Sequence, residues 1–125
     1  MRLETPKIFD SELRFCEILW ERQPVKSSEL VQLCAQRLGW KKSTTYTVIK
    51  RLTERGVVQT EDAVVTARVS RDEVQRAESR AFVERNFSGS LPSFLNAFVG
   101  GRGLSAEEAD ELRRMIADFE EKRND

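Results

Sequence analysis

Histidine is absent from the 125 residues of this chain, and tyrosine occurs once. The missing imidazole removes the usual general base, the commonest zinc ligand and every Ser-His or Cys-His pair together, so an enzyme is not expected. Cysteine occurs only at Cys16 and Cys34. Two thiols are too few for a zinc or copper site within one chain, and they fit a reducing compartment. No apolar run is long enough to span a bilayer, and the start, Met1 to Pro6, has neither the apolar stretch nor the cleavage site of a signal peptide. A soluble, cytoplasmic protein with no membrane insertion is expected. Gly100-Gly101-Arg102-Gly103 lacks the Gly-Lys-Ser/Thr ending of a phosphate loop and follows no strand pattern. It reads as a flexible joint, and neither a cofactor nor a metal is expected.

Net charge is missing too, with 21 basic residues against 21 acidic ones. The distribution is uneven: residues 1–70 carry twelve Lys/Arg against nine Asp/Glu, and residues 71–125 the reverse. Between Arg37 and Arg55 six basic residues (Arg37, Lys41, Lys42, Lys50, Arg51, Arg55) face Glu54 alone. A positive stripe on a neutral chain points to a polyanionic partner at one face.

The apolar spacing predicts a first helix capped by Asp10 and running through Leu13, Cys16, Leu19 and Trp20 to Gln23-Pro24. A second opens at Ser27 and closes at Gly39, a residue suited to a left-handed cap. In a third, Thr45, Val48, Ile49 and Leu52 share a buried face while Ser43, Tyr46, Thr47 and Lys50, flanked by Thr44 and Arg51, share the opposite one. Two helices joined by a tight turn, the second polar and basic outside, form a helix-turn-helix. Lys41, Lys42, Tyr46, Lys50, Arg51 and Arg55 are the expected phosphate contacts.

Val57-Val58, a turn at Gln59 to Asp62, and Val64-Val65 then read as a two-stranded wing. Ser70 to Glu73 and Ser105 to Glu108 are capping boxes that open two further helices, with a short apolar helix from Ser90-Leu91-Pro92 between them. Three helices this small cannot bury their own apolar faces. A second copy is expected against Phe82, Phe87, Leu91, Phe94, Leu95, Phe98, Leu112, Ile116 and Phe119. The fold class is therefore mostly α with a small β wing: a winged helix-turn-helix over residues 1–69, then a helical dimerisation region over 70–125. Cys16, Cys34, Trp20 and Trp40 are expected in the core or against it.

Asp10-Ser11-Glu12-Leu13 leading to Ile18-Leu19-Trp20, the run Gly39 to Leu52, Glu54-Arg55-Gly56, Phe87 to Leu91 and Leu104 to Glu108 together resemble the BlaI/MecI/CopY family of penicillinase-type repressors. The resemblance covers nearly the whole chain. It implies a dimer that represses genes by binding inverted-repeat operators in double-stranded DNA, with Ser43, Thr44 and Thr47 at the base-contacting positions of the recognition helix. It departs from the family at the wing, where Glu61-Asp62 replaces a basic tip and puts a wing contact to phosphate in doubt, and in lacking a copper-binding cysteine box. In the family's antibiotic-responsive branch a membrane sensor protease system leads to repressor cleavage. Ungapped alignment puts that bond at Ala97-Phe98, without the expected Asn-Phe pair although Asn96 lies one residue earlier. A winged-helix adapter that docks proteins without sequence-specific DNA binding is the competing reading.

Overall fold

In the computed structural model, which describes residues 5–123, the chain forms six helices and one small sheet. Met1 to Glu4, part of the opening stretch read above for a leader, lie outside the described residues. The elements in order are α1 (Asp10–Arg22), β1 (Val25–Lys26), α2 (Ser27–Leu38), α3 (Lys42–Glu54), β2 (Val58–Glu61), β3 (Val64–Ala67), α4 (Arg71–Phe87), α5 (Leu91–Val99) and α6 (Ala106–Arg123). Two compact units divide inside α4, at residues 80 and 81, rather than before it. The first turn of α4 belongs with the winged part because Val74 is buried in that unit's core.

In the first unit, α1 buries a stripe centred on Phe15, Cys16, Ile18 and Leu19. The expected stripe through Leu13 and Trp20 is off by part of a turn, since both are only half-buried. Trp20 instead lies along the flank, where its indole Nε1 donates to the Val69 carbonyl at 2.9 Å. Asp10 does not cap α1 either. It is the first helical residue, and the first turn is closed by Glu12, whose Oε1 accepts the Phe9 N–H at 2.9 Å.

The sheet has three antiparallel strands in the order β1-β3-β2, one more than the wing expected from sequence. Val25 pairs with Val65 and Lys26 with Val64, so the two residues between Pro24 and the start of α2 form a short strand. β2 also runs further than its apolar residues suggest: Gln59, Thr60 and Glu61 are strand residues paired with Thr66, Val65 and Val64. That leaves Asp62 and Ala63 as a two-residue turn, both at positive φ (53° and 65°), the conformation that twists a tight hairpin the right way. The Ala63 carbonyl accepts the Ser27 N–H at 2.9 Å, which ties the wing tip to the start of α2.

In the second unit the capping chemistry read from sequence is present. Ser90 Oγ accepts the Ser93 N–H at 3.1 Å, and Ser105 and Glu108 bond reciprocally at 3.0 and 3.3 Å. The same holds at the start of α4, where Ser70 and Glu73 exchange bonds at 3.1 and 3.2 Å. Phe82, Phe87, Phe94 and Phe98 form a ring cluster with successive centroids 5.6 to 6.1 Å apart. The glycine run between α5 and α6 is a folded turn, not the joint expected of it. Val99 carbonyl accepts from Arg102 at 3.0 Å and Gly103 at 2.8 Å, and Gly101 and Gly103 both adopt φ +80°.

Candidate nucleic-acid interface

The stop between α2 and α3 is set by Gly39, which takes φ +70° as the C-cap of α2. Trp40 and Lys41 complete the turn, and the Trp40 ring stacks on Phe15 with planes 1° apart and centroids at 6.3 Å. α3 then lies with Thr45, Val48, Ile49 and Leu52 buried, while Ser43, Thr44, Tyr46, Thr47, Lys50 and Arg51 are exposed. This is the division of faces that the spacing predicts.

Lys41 occupies the N-cap of α3 and makes no side-chain capping bond. Ser43 sits inside the first turn, so its hydroxyl is not consumed by capping. The amides of that turn and the hydroxyls of Ser43 and Thr44 accordingly share the end of the helix where its dipole favours anions. Thr47 follows Ser43 by one turn on the same face, and Lys50 follows Thr47.

The six basic residues of the stripe separate into two groups. Arg37 is held by both oxygens of Glu21, at 2.9 and 3.2 Å. That hydrogen-bonded guanidinium draws the Glu21 carboxyl below its ordinary range. Arg55 pairs with Glu12 and donates to the Lys7 carbonyl at 3.2 Å. Burial alone raises the Glu12 pKa, but the bonds from Arg55 and the Phe9 amide, with the charges of Arg55 and Arg51, bring it below the usual glutamate value. Lys41, Lys42, Lys50 and Arg51, by contrast, make no ion pair among the described residues. The positive face therefore belongs to α3 and its cap, and Arg55, expected at phosphate, is turned towards α1.

The sequence reading missed Glu12. Its position was a usable signal, because Glu12 precedes Phe15, Cys16 and Leu19 by three, four and seven residues and so shares their buried stripe. A carboxylate there needs a cationic partner. The thiols are unsuited to redox sensing: burial, with Glu12 and Glu17 nearby, pushes Cys16 up to about 12, and burial also raises Cys34. Protonated thiols are poor nucleophiles. Among the described residues no group of three metal-ligating side chains comes together. None of the described helices is long and apolar enough to cross a membrane.

The expected interface residues of the second unit are left largely uncovered. Leu91, Phe98, Ile116 and Phe119 are all more than half exposed, and Phe82 and Leu95 are also exposed. Phe87, Phe94 and Leu112 are half-buried. Between α5 and α6 runs an apolar groove of about 300 Å³, floored by Phe94, Phe98, Val99, Leu112 and Met115 and rimmed by Arg102 and Glu108.

The sequence profile of the penicillinase repressors matches residues 8–118. The chain belongs to the penicillinase repressor family. The penicillinase repressor of Bacillus licheniformis is 23% identical over 124 residues, covering 96% of this chain and 97% of its own. The methicillin resistance regulatory protein MecI of Staphylococcus aureus is 23% identical over 117 residues, covering 90% and 95%. The solution structure of the B. licheniformis BlaI monomeric form in complex with the blaP half-operator superposes on 54% of this chain and 88% of that one, at 22% identity and a TM-score of 0.48. The family match embraces both units, since it runs from Ile8, just before α1, into α6.

Proposed function

We infer that this chain is a DNA-binding transcriptional repressor that acts in the cytoplasm as a homodimer on an inverted-repeat operator. The observation that carries the reading is the outer face of α3: four cations without ion pairs among the described residues, Lys41, Lys42, Lys50 and Arg51, interleaved with the hydroxyls of Ser43, Thr44 and Thr47. Lysine and arginine neutralise phosphates, while small hydroxyl side chains hydrogen-bond base edges and the threonine methyl can meet a thymine methyl. Tyr46, exposed on the flank, reaches the sugar-phosphate edge. Arg55 is left out of the phosphate set because its guanidinium is engaged by Glu12 and Lys7. Family membership supports the reading, as do relatives named as a repressor and a resistance regulator that this chain matches over nearly their whole length.

Dimerisation is supported by the uncovered apolar side chains of residues 82 to 119, which a second copy would bury. A two-fold dimer places its recognition helices about 34 Å apart, or a multiple of it, on a palindrome. A sensor protease acting at Ala97–Phe98 would meet that bond within α5, both side chains exposed, and would have to unwind the helix to cut it.

Selecting bound sequences from random duplex DNA tests the function. A recovered motif with two-fold symmetry, bound with an affinity that falls by about 0.9 log units per contact for each log unit of salt, is the expected result. The acidic wing tip, with Glu61 at the end of β2 and Asp62 in the turn, favours the adapter reading, and an absent or salt-independent affinity for duplex DNA would favour that reading over the repressor.

A further inference from the structure

Arg55 lies in the basic stripe yet does not share its direction. It is the C-cap of α3, and its guanidinium has three engagements. One nitrogen donates to Glu12 Oε2, the other to the Lys7 carbonyl at 3.2 Å, and the group lies 5.3 Å from the Phe9 ring centroid. Glu12 is only 6% exposed, and its second oxygen closes the first turn of α1 through the Phe9 amide. The end of α3, the strap Lys7 to Phe9 and the start of α1 therefore meet at one ion pair.

The remaining hold on α3 is mostly of a different kind. Its buried stripe is apolar at Val48, Ile49 and Leu52, with Thr45 the one polar member, its hydroxyl turned back to the Lys41 carbonyl within α3's own first turn, and apolar burial is non-directional. Such a stripe fixes how deeply the helix sits better than it fixes the roll about its axis. Roll matters on the outer face: side-chain tips stand some 6 Å from the axis, so turning the helix by about 10° moves them about 1 Å. A hydrogen bond to a base edge tolerates only a few tenths of an ångström. A directional, charge-assisted contact at one end of α3 removes that freedom.

We propose that Glu12 and Arg55 are a positioning pair: they fix the roll of α3 against α1, so that Ser43, Thr47 and Lys50 meet duplex DNA in one orientation, while Arg55 itself contacts no phosphate. The proposal rests on the reading of α3 as the DNA-facing helix and adds a determinant of specificity that does not touch DNA.

The test compares two quantities in the full-length protein: the dependence of duplex affinity on salt, and the ratio of affinities for the best duplex from the selection and for a scrambled duplex of the same composition. Arg55→Met leaves the Glu12 carboxylate buried without its cationic partner, so the double variant E12Q/R55M, which removes both charges at similar volume, is measured beside it to keep a folded protein in hand. The expected result is an affinity ratio about tenfold lower, the discrimination of one well-made base contact, with an unchanged salt slope. Lys50→Ala in parallel should flatten that slope by about 0.9. A double variant whose slope flattens by that amount at an unchanged ratio makes Arg55 a phosphate contact and overturns the proposal. So does a lowered melting temperature with neither quantity altered, which makes the pair merely stabilising. A wild-type protein whose duplex affinity ignores salt overturns the DNA-binding reading itself, and the positioning role with it.

Discussion

Apolar side chains of the first unit are inside, and those of the second are mostly outside. Every residue of the buried core, from Ile8 to Val74, falls within residues 1–80, whereas α5 and α6 bury no side chain among the described residues. Yet α5, with Leu91, Phe94, Leu95, Phe98 and Val99, is among the most apolar segments of the chain. Composition alone therefore does not make a core. The first unit has three helices and a sheet whose apolar faces converge, while the second has a groove that its own helices leave open. Its apolar side chains stay uncovered, and an uncovered apolar face of this kind marks an interaction surface.

The contrast predicts where substitutions should be felt. Phe15→Ala removes a fully buried ring stacked on Trp40 and should cost about 4 kcal/mol of unfolding free energy in denaturant titration. Phe119→Ala removes a ring that is 64% exposed and should change monomer stability by no more than about 0.5 kcal/mol. Comparable losses from the two would break the comparison. Phe94→Asp should act on assembly instead, weakening self-association about a hundredfold in sedimentation equilibrium by placing a carboxylate in the proposed interface. An unaltered dimer, or a monomeric wild-type protein at micromolar concentration, would mean that the open groove is not where copies meet.

Smaller effects sharpen the account of the first unit. The Glu12 carboxyl is held below its ordinary pKa in the folded state, so its contribution to stability is present above the unfolded value, about 4.3, and is lost as pH falls through the folded one. Glu12→Gln should cost on the order of 2 kcal/mol at neutral pH, and the gap from wild type should close on acidification below about pH 4. A gap that stays constant with pH would show that the carboxylate charge contributes nothing. Least of all should happen at the thiols: with Cys16 pushed up to about 12 and both cysteines buried, a disulfide reagent at neutral pH should leave the native protein unmodified and react only once it is unfolded.

Much of this was legible in the sequence because the signals were local. Ser70 with Glu73 and Ser105 with Glu108 mark helix starts through bonds spanning three residues, and Gly39 marks the end of α2 through its own φ. The outer face of α3 follows from a period of 3.6 residues. What was hidden depends on partners far away in the chain. Arg55 finds Glu12 across 43 residues. Val25 becomes a strand only because Val65 is there to pair with it. Phe15 rather than Leu13 goes inside because Trp40 comes to cover it. The extent of β2 is hidden for another reason: Gln59, Thr60 and Glu61 are polar, but an antiparallel strand with one face to water takes polar residues readily.

The turn of that wing bears on how the sequence could change. Ala63 holds a left-handed backbone with a methyl group on it, a conformation that disfavours any residue with a Cβ by about 1 kcal/mol or more and leaves glycine untroubled. In the genetic code alanine and glycine are separated by one nucleotide in the middle of the codon. Relief is thus a single point mutation away, at an exposed position whose carbonyl, the part that fastens the hairpin to Ser27, would be untouched. Among lineages of this repressor, residue 63 is a place where drift towards greater stability would meet little resistance.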